Sequence, residues 1–308
     1  MSETRNMIME YLGMRFNNKQ KQRFLTTTVH KFIKMDYSEK EMTVDKKKLQ
    51  NSEYLNLYIG NFATADRIIT TYYDTPAKAV LPIHYKVGNS RNNYYVNLVS
   101  TVLPLSMYFI FEIAMLWFLL IPLFQTHNSF KMMFAVAIGA FLVYINTKII
   151  HGIPKIHHFV RNTLSIIFMV DMCKKMTTQQ RKKTVFAFTD NGCENRNGQN
   201  MLADYMKQSN SRAKVIHLDC IADLSAPVIY ANSRIIKRLE SQDKDIVLKS
   251  IDGLDYAHID KKDIFITNGI INRGSVEVVS EKSVEKNFDI DVVEKNFQLL
   301  QDEIISLA

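Results

Sequence analysis

Two long apolar runs lie next to each other in the middle of this 308-residue chain. The first extends from Asn97 to Phe124 and carries one charged residue, Glu112; the second extends from Phe130 to Ile150 and carries lysines only near its ends. Each run is long enough to cross a hydrocarbon layer about 30 Å thick, which takes roughly 20 helical residues. The sequence therefore predicts a transmembrane helical hairpin over residues 97–152, with both flanking segments on the same side.

Basic residues are concentrated on the side of the flanking segments. Lys86 and Arg91 precede the hairpin, Lys155 and Arg161 follow it, and the turn side offers only Lys131. Positive charge favours the cytoplasmic side of a membrane. We therefore expect a two-span protein of the cell membrane with both termini in the cytoplasm. The alternative is a buried hairpin inside a soluble protein, but apolar runs this long and this poor in charge are uncommon in soluble cores.

The rest of the chain has the composition of a folded, polar-surfaced domain, since 23% of all residues are charged. The net charge of +8 does not indicate nucleic acid, because the runs Lys46–Lys48 and Arg181–Lys183 are short and lack interleaved aromatic residues. Attraction to an anionic lipid bilayer explains them. Met1 to Gly13 contains no uninterrupted apolar segment, so no cleavable signal peptide is expected there.

Cysteine usage indicates a reducing compartment. The three cysteines, Cys173, Cys193 and Cys220, are odd in number and show no Cys-x-x-Cys spacing. This pattern argues against a disulfide framework and against a structural zinc site. We expect free, mostly buried thiols.

The flanking segments alternate helical and strand patterns. Helices are predicted within Met7–Lys34, Val160–Met176, Asn200–Gln208 and Asp291–Leu307, and strands at Tyr54–Ile59, Arg67–Tyr72, Thr184–Thr189, Lys214–Leu218, Asp245–Ile251, Asp263–Ile271 and Val276–Val279. Such alternation predicts an α/β fold with a doubly wound, mostly parallel sheet. Residues 1–96 and 153–308 are then two parts of one domain, interrupted by the hairpin.

Carboxylates follow three of the predicted strands. Asp74, Asp190 and Asp219 come at the carboxyl ends of their strands, where sites form in open α/β sheets. The sequence around them resembles the zinc-dependent aminopeptidase family, metallopeptidase family twenty-eight, which includes leucyl aminopeptidases and glutaminyl cyclases. The stretches that carry the resemblance are Tyr72-Tyr73-Asp74-Thr75, Arg161-Asn162-Thr163-Leu164-Ser165, Asp190-Asn191-Gly192-Cys193 and His217-Leu218-Asp219.

The resemblance implies that most zinc-site positions have changed. By position, the first zinc ligand becomes Tyr72, the bridging carboxylate becomes Arg161, the general base becomes Gly192 and the adjacent ligand becomes Cys193. Only Asp74 and Asp219 keep the family's identity, and Val276–Asn287 contains no late histidine. Glycine cannot accept a proton and a guanidinium cannot ligate a cation. We therefore expect no cofactor, and we hypothesise that Arg161 lies between Asp74 and Asp219.

Other candidates are weaker. Asp190-Asn191-Gly192 is also typical of a plain turn, and Cys193 at the strand-to-helix turn is a minority candidate for a nucleophile. The pair His157-His158 favours an interfacial position, and His217 favours a packed one. Glu112 lies in mid-span and either faces a partner in a dimer or is protonated.

Three functions stay open at this point. The first is a metal-free pseudopeptidase at the cytoplasmic membrane face that binds a peptide or small protein partner. The second is an active membrane metallo-aminopeptidase, with zinc held by Asp74, Asp219, Cys193 and His217 as atypical ligands. The third is a membrane scaffold, and homo-oligomer formation is compatible with all three.

Overall fold

A mixed eight-stranded sheet forms the centre of the fold. The computed structural model describes residues 13–49, 52–76, 84–125, 128–151, 162–193, 195–221, 225–240, 246–279 and 290–306. The strands of this sheet are β1 (Met42–Leu49), β2 (Ser52–Ile59), β3 (Arg67–Tyr72), β5 (Thr184–Thr189), β6 (Lys214–Leu218), β7 (Pro227–Ala231), β8 (Val247–Ser250) and β9 (Ile264–Asn268). Their spatial order is β1-β2-β5-β3-β6-β9-β7-β8.

Only the middle of this sheet and one edge pair are parallel. The ladders β5–β3, β3–β6, β6–β9 and β7–β8 are parallel, whereas β1–β2, β2–β5 and β9–β7 are antiparallel. The expectation of a mostly parallel sheet is therefore too strong, and mixed α/β is the correct class. At one edge β1 and β2 form an antiparallel hairpin, and near the other edge β7 runs antiparallel to β9; the sequence pattern revealed neither.

Helices cover both faces of the sheet. Along β5, Phe186 and Phe188 point to one face and Val185 and Ala187 to the other, as the two-residue period of a strand requires. The first face is covered by α1 (Asn18–Ile33), α5 (Leu164–Lys175) and α9 (Ile290–Ser306), and the second by α7 (Asn197–Gln208). Within the described residues, the remaining helices outside the hairpin are the short α6 (Thr178–Lys182) and α8 (Ser233–Glu240).

A second, three-stranded sheet packs beside the first. It has the order β10-β11-β4, with β4 at His84–Lys86, β10 at Ile270–Asn272 and β11 at Ser275–Val279. Its buried residues Tyr85, Val276 and Val278 form a cluster with Phe265 and Tyr230 of the large sheet. This small sheet leads directly into the apolar hairpin, because β4 is followed by a helix that begins at Ser90.

The apolar runs form two long helices. The first consists of α2 (Ser90–Met115), a π-helical turn (Leu116–Leu120) and α3 (Ile121–Gln125), and the second is α4 (Ser129–His151). Both are long and apolar enough to cross a membrane, and most of their side chains are not covered by protein. Glu112 Oε1 accepts a hydrogen bond of 2.6 Å from Asn146 Nδ2, so this carboxyl has a partner within the hairpin.

Most predicted elements outside the hairpin are confirmed. The predicted strands at Thr184–Thr189 and Lys214–Leu218 have the predicted bounds, and the predicted closing helix is present as α9. The predicted segment Asp263–Ile271 is wrong as one strand, because it divides between β9 and β10 in different sheets. Strands β1, β4 and β7 and helices α6 and α8 were not predicted. The part of the predicted first helix before residue 13 lies outside the described residues.

Candidate functional site: a closed tyrosine and arginine cluster around Asp219

Three neighbouring parallel strands bring their following carboxylates to one edge of the sheet. Strands β5, β3 and β6 are adjacent and parallel, and they are followed by Asp190, Asp74 and Asp219. All three side chains are buried. The predicted meeting of these carboxylates at the carboxyl ends of the strands follows directly from this topology.

Both carboxylate oxygens of Asp219 have partners. Oδ1 accepts a hydrogen bond of 2.8 Å from the Tyr72 hydroxyl, and Oδ2 accepts one of 3.2 Å from Tyr85. Arg196 Nη2 lies 2.9 Å from Oδ2, and both members of this ion pair are almost fully buried. Charge-assisted hydrogen bonds in a dry environment are the strong ones. The environment of Asp219 is therefore already saturated by protein groups.

Arg196 reaches Asp219 because of an unusual backbone conformation. It precedes α7 with φ +58°, in the left-handed region that is uncommon for residues other than glycine. Its amide donates to the carbonyl of Asn191 at 2.9 Å, which closes the loop after β5. The side chain then crosses to β6, where its guanidinium lies 4.0 Å from the centre of the Tyr256 ring. This distance is within the range of a cation–π contact.

Two tyrosines from outside the large sheet close the cluster. Tyr85 lies on β4, and Tyr256 follows the short helical turn Ile251–Gly253. Their hydroxyl oxygens are 2.6 Å apart, and the Tyr256 hydroxyl also accepts a hydrogen bond of 2.9 Å from the Gly88 amide. Burial raises the pKa of Tyr256. The cluster thus places phenol side chains around the buried ion pair of Arg196 and Asp219.

Asp74 is held by backbone amides. Its Oδ1 accepts from the Gly192 amide at 2.7 Å and its Oδ2 from the Cys193 amide at 3.3 Å. The Cys193 thiol lies 3.3 Å from the Asp74 carbonyl oxygen. Burial and the neighbouring Asp190 raise the pKa of Asp74 to about 6, against the lowering effects of Lys21 and the two amides. This carboxylate is a structural acceptor for the loop after β5.

A buried arginine, Arg15, makes hydrogen bonds with the residue that follows β3 and with the residues just before α5. Arg15 is fully buried, and its Nη2 donates to Asn162 Oδ1 at 3.1 Å and to the Thr163 hydroxyl at 2.9 Å. Its Nε donates to the Tyr73 carbonyl oxygen. Burial lowers the pKa of Arg15 to about 10 despite the charges nearby. Arg15 therefore fastens the start of α5 to the end of β3.

Tyr72 and Gly192 depend on each other sterically. A Cβ atom placed on Gly192 would lie 2.1 Å from Tyr72 Cγ, far inside van der Waals contact. Any larger side chain at residue 192 therefore requires that Tyr72 moves or is replaced.

A buried ion pair neutralises the third aspartate. Lys21 Nζ of α1 lies 2.6 Å from Asp190 Oδ1, and the Asp190 side chain has no exposed surface. Asp190 Oδ2 also accepts a hydrogen bond of 3.2 Å from the Leu55 amide. These contacts give Asp190 a structural role at the junction of α1, β2 and β5. The loop that follows has the turn geometry that the sequence indicated, with Asn191 at φ +55°.

His217 is packed, as expected, and a second imidazole, that of His258, lies beside it. Its ring lies 5.5 Å from that of His258 and its Nε2 lies 3.8 Å from Asp263 Oδ2. Within the described residues, neither nitrogen of His217 nor Nε2 of His258 has a hydrogen-bond partner. Burial and the neighbouring His217 and Arg196 lower the pKa of His258 to about 2. The His258 ring stacks on that of Tyr256, with the ring centres 5.6 Å apart, so it borders the Asp219 cluster.

The described residues around Asp219 and Asp74 do not fit a zinc site. Zinc needs neutral imidazole, thiolate or carboxylate ligands with free lone pairs, whereas Asp219 is paired with a guanidinium and Asp74 accepts two amide hydrogens. No group of three or more histidine, cysteine, aspartate or glutamate side chains that could hold a metal occurs among the residues that the structure describes. The four atypical ligands are thus not arranged as one site in that part of the chain.

The predicted and observed sites overlap in part. Tyr72 and Asp219 are in direct contact, as are Asp74, Gly192 and Cys193. Arg161, His157 and His158 lie outside the described residues, so the position of Arg161 stays a prediction. Arg196 is paired with Asp219, and sequence reasoning missed this arginine together with Arg15, Tyr85 and Tyr256. The only sequence signal for Arg196 was its place in the turn-rich stretch before Gly198.

The comparisons with known proteins show a similarity of fold alone. No protein-family model and no curated protein matches the chain. Among solved structures, LapB from Legionella pneumophila superposes with a TM-score of 0.54 at 9% identity, over 99% of this chain and 70% of that one. The LapA aminopeptidase of the same organism gives 0.51 at 11% identity, again over 99% and 70%.

A glutaminyl cyclase from Macrostomum lignano gives a TM-score of 0.50 at 9% identity, covering 99% of this chain and 90% of that one. The chain is therefore similar in fold to aminopeptidases and a glutaminyl cyclase. Its scaffold is peptidase-like, and the apolar hairpin lies between β3 and α5 of that scaffold.

Proposed function

We propose that this chain is a membrane-anchored pseudopeptidase that binds a peptide or small protein partner at the cytoplasmic face of the cell membrane. The observation that carries the proposal is the pairing of Asp219 with Arg196 and Tyr72 at the sheet edge. Metal-assisted peptide hydrolysis needs open metal ligands and a base that takes a proton from water. A guanidinium and a phenol at this edge supply neither.

The apolar hairpin supports the membrane part of the proposal. Side chains such as Ile110, Trp117, Phe118 and Phe130 are more than two-thirds exposed on helices long enough to span. Exposure of so large a contiguous apolar surface to water is unfavourable, whereas the hydrocarbon core of a bilayer covers it. The basic flanks favour the cytoplasmic side for the peptidase-like domain. Anchoring keeps the edge of the sheet near partners that lie on the membrane.

Metal content and turnover test the catalytic part. The full chain, purified in detergent, is analysed for zinc by mass spectrometry and assayed with aminoacyl reporters in the presence of added Zn²⁺. We expect well below one zinc per chain and no release of reporter, both for the native protein and for Arg196→Met. Zinc at one or two per chain together with turnover would overturn the proposal and favour the atypical metallo-aminopeptidase.

Binding without turnover tests the partner. The full chain in lipid nanodiscs is exposed to a random peptide library, and the retained peptides are sequenced. We expect enrichment of related peptides that is lost in Tyr256→Ala, at the cluster, and kept in Lys47→Met, on the exposed strand β1. No enrichment, combined with self-association of the chain, would favour the membrane scaffold instead.

A further inference from the structure

The apolar hairpin contains an acidic side chain whose charge is not neutralised within the chain. Glu112 of α2 accepts a hydrogen bond of 2.6 Å from the side-chain amide of Asn146 on α4. Within the described residues Glu112 forms no ion pair. An amide donates a hydrogen bond but carries no positive charge. Ionisable side chains in a hydrocarbon layer are costly and usually have a partner, so this carboxylate is incomplete without a cation.

The Glu112–Asn146 contact lies near the domain side of the proposed membrane span. Asn146 is about 25 Å along α4 from its first residue, Ser129, at 1.5 Å per residue. With the hairpin turn at one boundary of a layer about 30 Å thick, the contact lies roughly 5 Å inside the other boundary. Glu112 is thus closer to this boundary than its central place in the first apolar run indicated. A lysine at the boundary can reach this depth, because its long stem lies in apolar surroundings while its ammonium stays near water.

Lys148 of α4 has the charge and the depth that match Glu112. It follows Asn146 by two residues, about 3 Å along the helix, and its side chain is exposed. Two residues correspond to about 200° around the helix axis, so Lys148 points away from the face on which Asn146 contacts α2. Its ammonium nitrogen lies 5.5 Å from the centre of the Tyr144 ring, one turn earlier. Lys148 therefore faces a neighbouring molecule and not Glu112 of its own hairpin.

The two apolar helices leave an open groove beside this contact. Gly139 precedes Asn146 by seven residues, which is about two helical turns on the same face of α4. Nothing lies within 4 Å of the position that a Cβ atom would take at Gly139. The helices do touch nearer the turn, where Ala135 is fully buried in a cluster with Leu120. Small residues allow close approach of helices in membranes, so a helix of a second hairpin fits against this groove.

We propose that two copies of this chain associate in the membrane through a two-fold interface, in which Lys148 of each copy pairs with Glu112 of the other. The inference rests on the membrane anchoring proposed above. Both copies carry the two residues at the same depth, so a two-fold axis along the membrane normal forms both ion pairs at once. Asn146 holds the carboxylate for the incoming ammonium. Such a dimer places two peptidase-like domains side by side on one face of the membrane.

Energy transfer between labelled copies tests this association in the full chain. The cysteines described above are all buried, so a donor or an acceptor fluorophore is attached at Val44→Cys, an exposed position of edge strand β1. Donor and acceptor protein are reconstituted together in phosphatidylcholine liposomes at decreasing protein-to-lipid ratios. Flotation of the liposomes reports first whether the protein is in the membrane. The native protein should then show energy transfer with the concentration dependence of a dimer.

Charge reversal distinguishes the proposed ion pairs from any other contact. Glu112→Lys alone and Lys148→Glu alone should each weaken association by about tenfold or more, because each sets like charges opposite one another twice. Donor-labelled Glu112→Lys mixed with acceptor-labelled Lys148→Glu should associate like the native protein, since both pairs are then complementary. Lys131→Glu, at the turn end of α4, is the matched control and should have no effect.

A milder variant covers the case in which Glu112→Lys does not insert. Glu112→Gln keeps an acceptor for Asn146 and should also weaken association, because it leaves Lys148 without its acid. Monomers at every dilution, in protein that floats with the liposomes, would overturn the dimer and leave the anchor intact. Protein that does not float would overturn both. Association that is insensitive to Glu112→Gln and to Lys148→Glu would overturn the ion pairs and indicate a protonated Glu112.

Discussion

Arg196 Nη2 lies 2.9 Å from Asp219 Oδ2, and the same guanidinium lies 4.0 Å from the centre of the Tyr256 ring. The ion pair therefore joins the loop before α7 to the end of β6 and to the segment that follows β8. Because Tyr256 also accepts the Gly88 amide hydrogen, one network extends from the middle of the large sheet to Gly88, two residues before the first apolar helix begins at Ser90. The cluster is thus linked by direct contacts to the segment that leads into that helix.

Arg196→Met should lower the free energy of unfolding by about 3–5 kcal/mol, because it leaves a buried carboxylate without its cation. The measurement is urea unfolding of the full chain in detergent, followed by circular dichroism. The half-exposed pair between Lys47 and Asp204, at 3.4 Å, supplies the control: Lys47→Met should cost at most about 1 kcal/mol. Arg196→Met with Asp219→Asn should be more stable than Arg196→Met alone. Equal losses for Arg196→Met and Lys47→Met would contradict the role of the Arg196–Asp219 pair.

Gly192→Ala should destabilise the protein by about 1–3 kcal/mol or more, because the new methyl group overlaps the Tyr72 ring. Gly253→Ala is the control, since nothing lies within 4 Å of its Cβ position. A double-mutant cycle with Tyr72→Ala separates steric conflict from backbone effects. The conflict predicts that Gly192→Ala costs much less in the Tyr72→Ala background. An unchanged cost would mean that residue 192 tolerates no side chain for another reason.

The fold was largely predictable where one pattern decided the structure. Strands β5 and β6 are short runs rich in apolar residues in which every residue or every residue but one is buried, and their bounds were predicted correctly. Strand β1 was missed because Lys46–Lys48 interrupt its pattern. These lysines lie on an edge strand, where charge is tolerated because one edge faces solvent.

Only the part of the site that follows from the parallel strand topology was predictable. Asp74, Asp190 and Asp219 follow adjacent strands, so their proximity could be inferred from strand ends alone. The partners of Asp219 could not, because Tyr85 and Tyr256 come from a second sheet and a loop. Arg196 depends on a left-handed backbone conformation that no local residue preference dictates for arginine. Long-range polar contacts of this kind are set by tertiary packing.

Lys21→Met should destabilise the protein by about 3 kcal/mol at pH 7, since it leaves the buried carboxylate of Asp190 without its cation. Lys21 also lowers the pKa of Asp74, so its removal raises that pKa further above about 6. A carboxyl whose folded pKa is raised binds its proton more tightly in the folded state, and stability then falls as the pH rises. The loss in free energy of unfolding caused by Lys21→Met should therefore be smaller at pH 5 than at pH 7.

Urea unfolding at both pH values checks this prediction. Lys174→Met is the control, because Lys174 pairs with Asp171 on the partly exposed surface of α5 and its removal should cost less than about 1 kcal/mol at either pH. A loss for Lys21→Met that is equal at pH 5 and pH 7 would show that Asp74 does not respond to this lysine.

His258→Phe should remove part of the acid sensitivity of the protein while keeping the stacking on Tyr256, whose ring lies 5.6 Å away. The folded pKa of His258 is lowered to about 2, so its contribution to stability is complete above the unfolded pKa and is lost as the pH falls. With an unfolded pKa of about 6.5, the loss between pH 7 and pH 5 amounts to about 2 kcal/mol.

Asp74 acts in the opposite direction over the same range, because its folded pKa is raised. The informative quantity is therefore the difference between His258→Phe and the native protein at each pH, measured by urea unfolding, and not the native curve alone. This difference should shift in favour of the variant by about 2 kcal/mol from pH 7 to pH 5. His30→Gln, at an exposed position of α1, should leave the native pH dependence unchanged. Parallel curves for His258→Phe and the native protein would contradict a neutral, buried imidazole at residue 258.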